Sequence, residues 1–505
     1  MRATCLTRLT RLTRLTHLTL AVLLAPAMLA AQPVTKDAAK ATTVPARAAL
    51  DRNTAPTPGP APKTRIPTWT RTRLSNGADL VVTEKHDLPL VSFTINFVGG
   101  ATTFEPAGKT GVAALTAQML SEGTATKTGE QLADAQQLLG TSVGAGVGGE
   151  SGVVRFTALK EQFAPALALV ADMLEHPAFP PDALERLRGR TLVGLQQQKD
   201  QPNAISGKVF AKVLYGDAHP YGRVPTEETV RAITRDDVVA FHRAYFQPGR
   251  AVNTVTGDVD PATVRRTVEQ ALAAWPAGGE RPTFAYPSVP APKATTIYLV
   301  DKPKAAQSVF AIGLPGPPRD TPDYYAIEVM NQILGGLFQS RINHDIREVK
   351  GYSYGAGSGF DYGRGPGAFE AGGGIVTAKT DSALIEFMKQ LKGAQGGVPF
   401  TDDEIAQGKA SLIQSLPRRF SSVNAIGASV GSVFVEGLPD AYWQQFAENV
   451  QRVTADDLVR VARKYIDLDH LNIVIVGDRA TIEAPLKATG IAPVVILDAD
   501  GKPIS

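Results

Sequence analysis

Val91, Phe93, Ile95 and Phe97 alternate with Ser92, Thr94 and Asn96, a period of two that predicts a half-buried strand. A helix is expected over residues 109–121, followed by a glycine-rich strand-loop over 140–152 and a strand over 153–159. Phe163, Leu167, Val170 and Leu174 fall at i, i+4, i+7 and i+11, so an amphipathic helix is predicted there, ending before Pro177. Further helical patterns cover 182–199, 204–214 and 236–245, and a strand over 251–255 precedes Gly257-Asp258. Strands and helices come in runs rather than in strict βαβ alternation, which points to an α+β fold.

The pattern recurs. Thr234-Arg-Asp-Asp237 matches Thr454-Ala-Asp-Asp457, Tyr245 matches Tyr465, and Gly257-Asp258 matches Gly477-Asp478, all at a separation of 220 residues. The 91–100 segment has a looser counterpart at 308–317. A period this long is not a solenoid repeat and indicates two copies of one domain. The Pro/Gly-rich stretch 276–293 separates them. The expected organisation is therefore two homologous domains, 69–278 and 295–505, joined by a linker over 279–294. Each would be an antiparallel or mixed sheet packed with helices.

The N-terminus changes the charge picture. Arg2, Arg8, Arg11 and Arg14 precede an apolar run from Leu18 to Ala31, with no acid among them. This is the layout of a cleaved signal peptide over 1–31, and the run is too short for a membrane span. An Ala/Pro-rich tether over 32–68 follows, with no apolar period. Loss of the four arginines takes the formal charge from +3 to −1, so global basicity gives no reason to expect a nucleic-acid partner. The single cysteine, Cys5, leaves with the same segment. The expected location is periplasmic or secreted, with no membrane partner after cleavage.

Blocks of chemistry follow the same order as the repeats. They are Tyr215-Gly-Asp-Ala-His-Pro-Tyr-Gly-Arg223, the segment 234–258, Gly335-Gly-Leu-Phe-Gln-Ser-Arg341 and Arg347-Glu-Val-Lys-Gly-Tyr-Ser-Tyr354. Together with the duplication they resemble the short two-domain members of the pitrilysin/insulinase family of zinc peptidases, peptidase family M16. Such enzymes carry H-x-x-E-H, two imidazoles one helical turn apart with a Glu as base. In this chain the three positions hold Ala114, Ala117 and Gln118. The family's third ligand, a Glu, would fall near Gly194, and no Glu occurs between Glu185 and Glu227. No two histidines lie closer than 23 residues. No metal site and no cofactor are therefore expected in this chain.

The resemblance also implies what was kept. In the family an Arg and a Tyr from the second domain bind substrate and stabilise the oxyanion; here they correspond to Arg341 and Tyr354. For Arg341 the competing expectation is a helix charge paired with Asp345; for Tyr354, a core aromatic. Gly144, Gly146 and Gly148, with Gly335 and Gly336, are candidate substrate-binding positions, since an edge strand with few side chains lets a peptide add alongside. The Gly357–Gly374 run is similarly open. His219 is expected to brace a turn. The resulting expectation is a non-catalytic subunit supplying Arg341, Tyr354 and half of a chamber for unfolded peptide. A heterodimeric partner bearing H-x-x-E-H would bring the zinc. The alternative is a structural or peptide-binding homologue with no role in hydrolysis.

Overall fold

The computed structural model of the chain describes residues 64–290 and 292–504, so the expected signal peptide and most of the tether lie outside the described residues. From Ala61 onward the chain forms one compact unit. It is built on two six-stranded sheets. The first contains β1 (Thr70–Arg73), β2 (Asp79–Glu84), β3 (Leu90–Val98), β4 (Gly144–Val147), β5 (Ser151–Leu159) and β6 (Ala251–Gly257), in the order β1-β2-β6-β3-β5-β4. The second contains β7 (Thr296–Asp301), β8 (Gln307–Pro315), β9 (Ser353–Asp361), β10 (Ala368–Val376), β11 (Asn472–Gly477) and β12 (Val494–Leu497), in the order β12-β7-β11-β8-β10-β9.

Five strand positions correspond between the sheets. β6 runs parallel to β2 and antiparallel to β3; β11 does the same with β7 and β8. The correspondence fails at one edge, where β1 pairs antiparallel with β2 but β12 pairs parallel with β7. The 220-residue match marks two helices that begin alike. In each, the Thr side chain accepts from the Asp backbone N–H three residues on and that Asp reaches back, Thr234 with Asp237 and Thr454 with Asp457. Helices Phe163–Glu175, Pro181–Gln198, Pro202–Tyr215 and Arg235–Tyr245 stand close to their predicted bounds. Among the described residues no helix is long and apolar enough to cross a membrane.

The polar side of β3 is where the structure departs from simple amphipathic expectation. Ser92 is 5% exposed, and Thr254 and Thr256 beside it on β6 are also buried. They are covered by the Val423–Glu436 helix of the second half, which packs on β3 and β6. Small residues permit this: a Cβ at Gly431 would stand 2.9 Å from Asn96 Nδ2. Within the sheet, Asn96 Nδ2 donates to the Val252 carbonyl and Thr254 Oγ1 to the Thr94 carbonyl, both at 3.3 Å. The exchange is reciprocal. The Pro202–Tyr215 helix of the first half packs on β8 and β11, burying Ile205, Val209 and Phe210 against Ala311, Val474 and Val476. Each sheet thus has its inner face covered by a helix from the other half, which is why both halves form one unit despite the linker.

Candidate functional site

Between the facing sheets lies a cavity of about 1080 Å³. Its first wall is the helix Val112–Met119 and the β4–β5 turn, with Gly111, Ala114, Val147, Gly148 and Glu150. The opposite wall is the β9–β10 hairpin, from Gly357 to Gly372. The Pro202–Tyr215 helix closes a third side with Phe210, Ala211 and Tyr215.

The Val112–Met119 helix starts at Gly111, whose φ of +107° suits glycine alone. Glu105 caps it, Oε1 accepting from the Gly111 and Ala113 N–H groups at 2.9 Å each. This places a carboxylate at the positive end of the helix. Ala114 and Gln118 are exposed one turn apart on the same face, and Ala117 is buried. Gly194 lies on the neighbouring Pro181–Gln198 helix. Two methyl groups, an amide and a glycine are no donor set for zinc, which takes imidazole, thiolate or carboxylate. No group of three or more His, Cys, Asp or Glu among the described residues is placed to hold a metal ion.

The strand next to this helix is open. β4 is the last strand of its sheet and pairs only with β5. Gly148 N donates to the Ser151 carbonyl at 2.8 Å, so by the alternation of the ladder Gly144 and Gly146 also turn their backbone groups toward β5. Ala145 and Val147 turn theirs outward, and these have no partner among the described residues. Gly144 and Gly146 are the positions expected from the sequence to bind substrate. The free ladder groups belong to their neighbours, while the glycines leave the face bare: a Cβ at Gly146 would meet nothing within 4 Å. Gly148 lines the cavity.

β9, the matching edge of the second sheet, is partly covered instead. Ala356 N donates to Asn343 Oδ1 at 3.1 Å, and Asn331 Nδ2 donates to the Ser358 carbonyl at 3.1 Å. Gly335 presses against this strand, where a Cβ would stand 2.1 Å from Ser358 N. Gly336 packs on Asn331. Neither lines the cavity, and close packing accounts for their glycine identity.

Arg341 is also committed elsewhere. Its Nε and Nη2 donate to the two oxygens of Glu404 at 2.7 Å each, and its remaining bonds go to the Val398 and Pro399 carbonyls. The guanidinium holds the Glu404 carboxyl below its ordinary pKa. Its partner is therefore Glu404, not Asp345, which accepts from Gln390. Tyr354 is not a core aromatic. It sits on β9, 86% exposed. The cavity lining contains neither Arg341 nor Tyr354.

Several residues at the site carried no clear signal in the sequence. Glu150, in the β4–β5 turn, accepts from the Tyr221 hydroxyl, the Tyr286 hydroxyl at 2.7 Å and the Arg364 N–H at 2.7 Å. Gly365 N donates to the Tyr221 hydroxyl at 2.9 Å. One carboxylate thus ties the first sheet, the 215–223 block, the linker and the β9–β10 loop. Gly365 lets the loop come this near, since a Cβ there would lie 2.6 Å from the Tyr286 ring. His219 braces the turn as expected: its Nδ1 accepts from Tyr221 N at 3.1 Å, and burial lowers its pKa. Glu105, Asp361 and Glu370 all have carboxyls raised above the usual range, burial being the main cause in each.

Two sequence-family models match consecutive parts of the chain. "Insulinase (Peptidase family M16)" covers residues 81–218 and "Peptidase M16 inactive domain" covers 232–412. An uncharacterized zinc protease of Mycobacterium leprae is 28% identical over 372 residues, spanning 71% of this chain and 81% of that protein. A Helicobacter pylori protein named as a non-peptidase homolog, YmxG, is 22% identical over 404 residues, 79% of this chain and 92% of its own. A crystal structure of a peptidase M16 inactive domain from Pseudomonas fluorescens superposes with a TM-score of 0.75 at 27% identity, covering 81% of this chain and 98% of that one. With the paired sheets, the matched blocks and both models in sequence order, the chain belongs to the insulinase family, peptidase family M16.

Proposed function

We propose that this chain is the metal-free subunit of a two-subunit M16-type peptidase, acting in the periplasm or outside the cell after signal cleavage. It binds an extended peptide along β4 and walls one side of the chamber. A partner with H-x-x-E-H supplies zinc and the general base. The observation that carries this reading is the free edge of β4, with Ala145 and Val147 unpartnered beside a helix stripped of metal ligands. The peptide-binding edge is retained where the hydrolytic groups are absent. Tyr354, exposed on β9, is the side chain this chain would offer to a partner's site as an oxyanion donor.

Binding of a short unstructured peptide to the isolated chain, followed by fluorescence anisotropy, tests the edge. Ala145→Pro removes an outward N–H from an edge strand, where proline is tolerated, and should weaken binding about tenfold. Unchanged affinity would overturn docking on β4. The isolated chain should hold no stoichiometric zinc after gel filtration and cleave no peptide. In a complex reconstituted with the zinc-bearing subunit, Tyr354→Phe should lower turnover by about 100-fold with assembly intact.

The grip of Glu404 on Arg341 favours a second reading, in which the chain binds peptide but takes no part in hydrolysis. To reach a substrate, Arg341 would have to give up a bidentate carboxylate and two carbonyls. Unchanged turnover in both Arg341→Ala and Tyr354→Phe complexes would select this reading.

A further inference from the structure

The β9–β10 hairpin meets the cavity with one face, and the composition of that face is unusual. The ladder places Asp361 opposite Ala368, Gly359 opposite Glu370 and Gly357 opposite Gly372. Residues opposite one another share a face. All six line the cavity, so its floor here is three glycines, one alanine and two carboxylates. Asp361 and Glu370 are diagonal neighbours across the two strands, and neither makes an ion pair with any described residue. Across the whole lining, the carboxylates of Glu105, Glu150, Asp361 and Glu370 stand against the one guanidinium of Arg223.

These carboxylates differ in how they are used. Glu105 is spent on the Gly111 and Ala113 N–H groups, and Glu150 on Tyr221, Tyr286 and Arg364. Asp361 and Glu370 remain. Two like charges on one face of a cavity repel, and a cation between them relieves that cost. Both carboxyls being raised, and each raised in part by a neighbouring acid, agrees with that situation. Gly359 matters equally, because a Cβ there would meet nothing within 4 Å, which leaves room over the strands for a long side chain.

We infer that the peptides accepted by this cavity are cationic, with a Lys or Arg side chain lying over Gly359 and its charge between Asp361 and Glu370. This rests on the β4 docking reading: the cavity and the open strand edge define the site, and the two carboxylates decide which side chain it selects. Arg suits the arrangement, since a planar guanidinium can donate to two carboxylates at once.

The test uses the full chain and two fluorescein-labelled unstructured peptides that differ only in arginine against citrulline, which keeps the shape and removes the charge. The arginine peptide should bind about tenfold tighter at physiological salt. Glu370→Gln and Asp361→Asn should each erase most of that difference while leaving the citrulline peptide's affinity unchanged. Both variants are near-isosteric, and thermal melts establish that they fold. Equal affinity for the two peptides in the wild type, or an equal loss for both in the variants, would overturn the inference and leave docking on β4 standing. Failure of both peptides to bind would overturn docking on β4 and the inference with it.

Discussion

β4 and β9 occupy the same position in two related sheets, and the chain has treated them in opposite ways. β9 is partly covered: Asn343 takes the Ala356 amide, Asn331 takes the Ser358 carbonyl, and Gly335 lets a neighbouring turn lie against the strand. Among the described residues, β4 has no such cover on Ala145 or Val147. An exposed ladder invites uncontrolled pairing, and proteins usually blunt it. Here the same fold blunts one edge with side-chain amides and leaves the other bare, with its Val147 end at the cavity. The contrast teaches that the bare edge is not a feature of the architecture as such, since the duplicate shows how it is closed when it is not used.

The strongest way to break this comparison is a methyl group on each side of it. Gly335→Ala would drive a Cβ into the β9 backbone, where nothing flexible can yield. A loss of about 3 kcal/mol is expected, at the upper end for overpacking. Gly146→Ala adds the same methyl to open space on β4 and should shift stability by no more than about 0.5 kcal/mol. Denaturant midpoints decide between them, and similar costs would mean that the two edges are equally packed.

Removing the cover itself comes next. Asn343→Ala leaves the Ala356 amide without its acceptor and should cost about 1–2 kcal/mol. Hydrogen exchange gives a residue-level version. The Ala356 amide should be protected in the wild type and fast in the variant. Ala145 and Val147 should exchange fast until a peptide is added. Slow exchange at Ala145 in the free chain would show that β4 is covered after all.

Much of this fold was legible from local signals. The strong periods at 91–97 and 163–174 gave a strand and a helix, and the Thr-x-x-Asp matches found two capped helices because a cap is a short-range device. The exchange of helices between halves was not legible. Nothing local in Gly427 and Gly431 says that they will lie against Ser92, Thr256 and Asn96 of the other half. The site divided the same way. Ala114, Ala117 and Gln118 could be read from spacing, and so could the role of His219 in its turn. Arg341 could not, since Glu404, which holds it, is 63 residues away. Asp361 and Glu370 lay inside the glycine run read as an open strand, and only the register shows that they share a face. Composition marks a bare strand at Gly144 and Gly146 but not the direction of its hydrogen bonds, which only the register gives.

The two caps offer a smaller test of how far the halves are equivalent. Thr234→Ala and Thr454→Ala each remove one acceptor from a helix N-terminus, and each should cost about 1 kcal/mol. Matching losses in thermal melts would indicate that the duplicated parts remain energetically alike, so that the divergence is confined to the edges and the cavity. A cost in one half alone would extend it to the helices.

The smallest effect separates a paired carboxylate from an unpaired one. Burial raises the folded-state pKa of Glu370 above its unfolded value, so the folded chain binds that proton more tightly, and stability contributed here rises as pH falls through the raised value. At neutral pH the ionised group is a net cost, and Glu370→Gln should raise Tm by about 1–2 °C. The gain should fade in acid, where the carboxyl is neutral in both states. Glu404 has the opposite sign, because Arg341 lowers its folded-state pKa. Its contribution is present above the unfolded value and is lost as pH falls through the lowered one, so Glu404→Gln should lower Tm at neutral pH and matter less in strong acid. Melting curves of the two variants against wild type across this range should therefore diverge at neutral pH and converge in acid. A Glu370→Gln variant less stable than wild type at neutral pH would mean that Glu370 already has a cation within the chain, and the cavity floor would then have no free charge to offer a ligand.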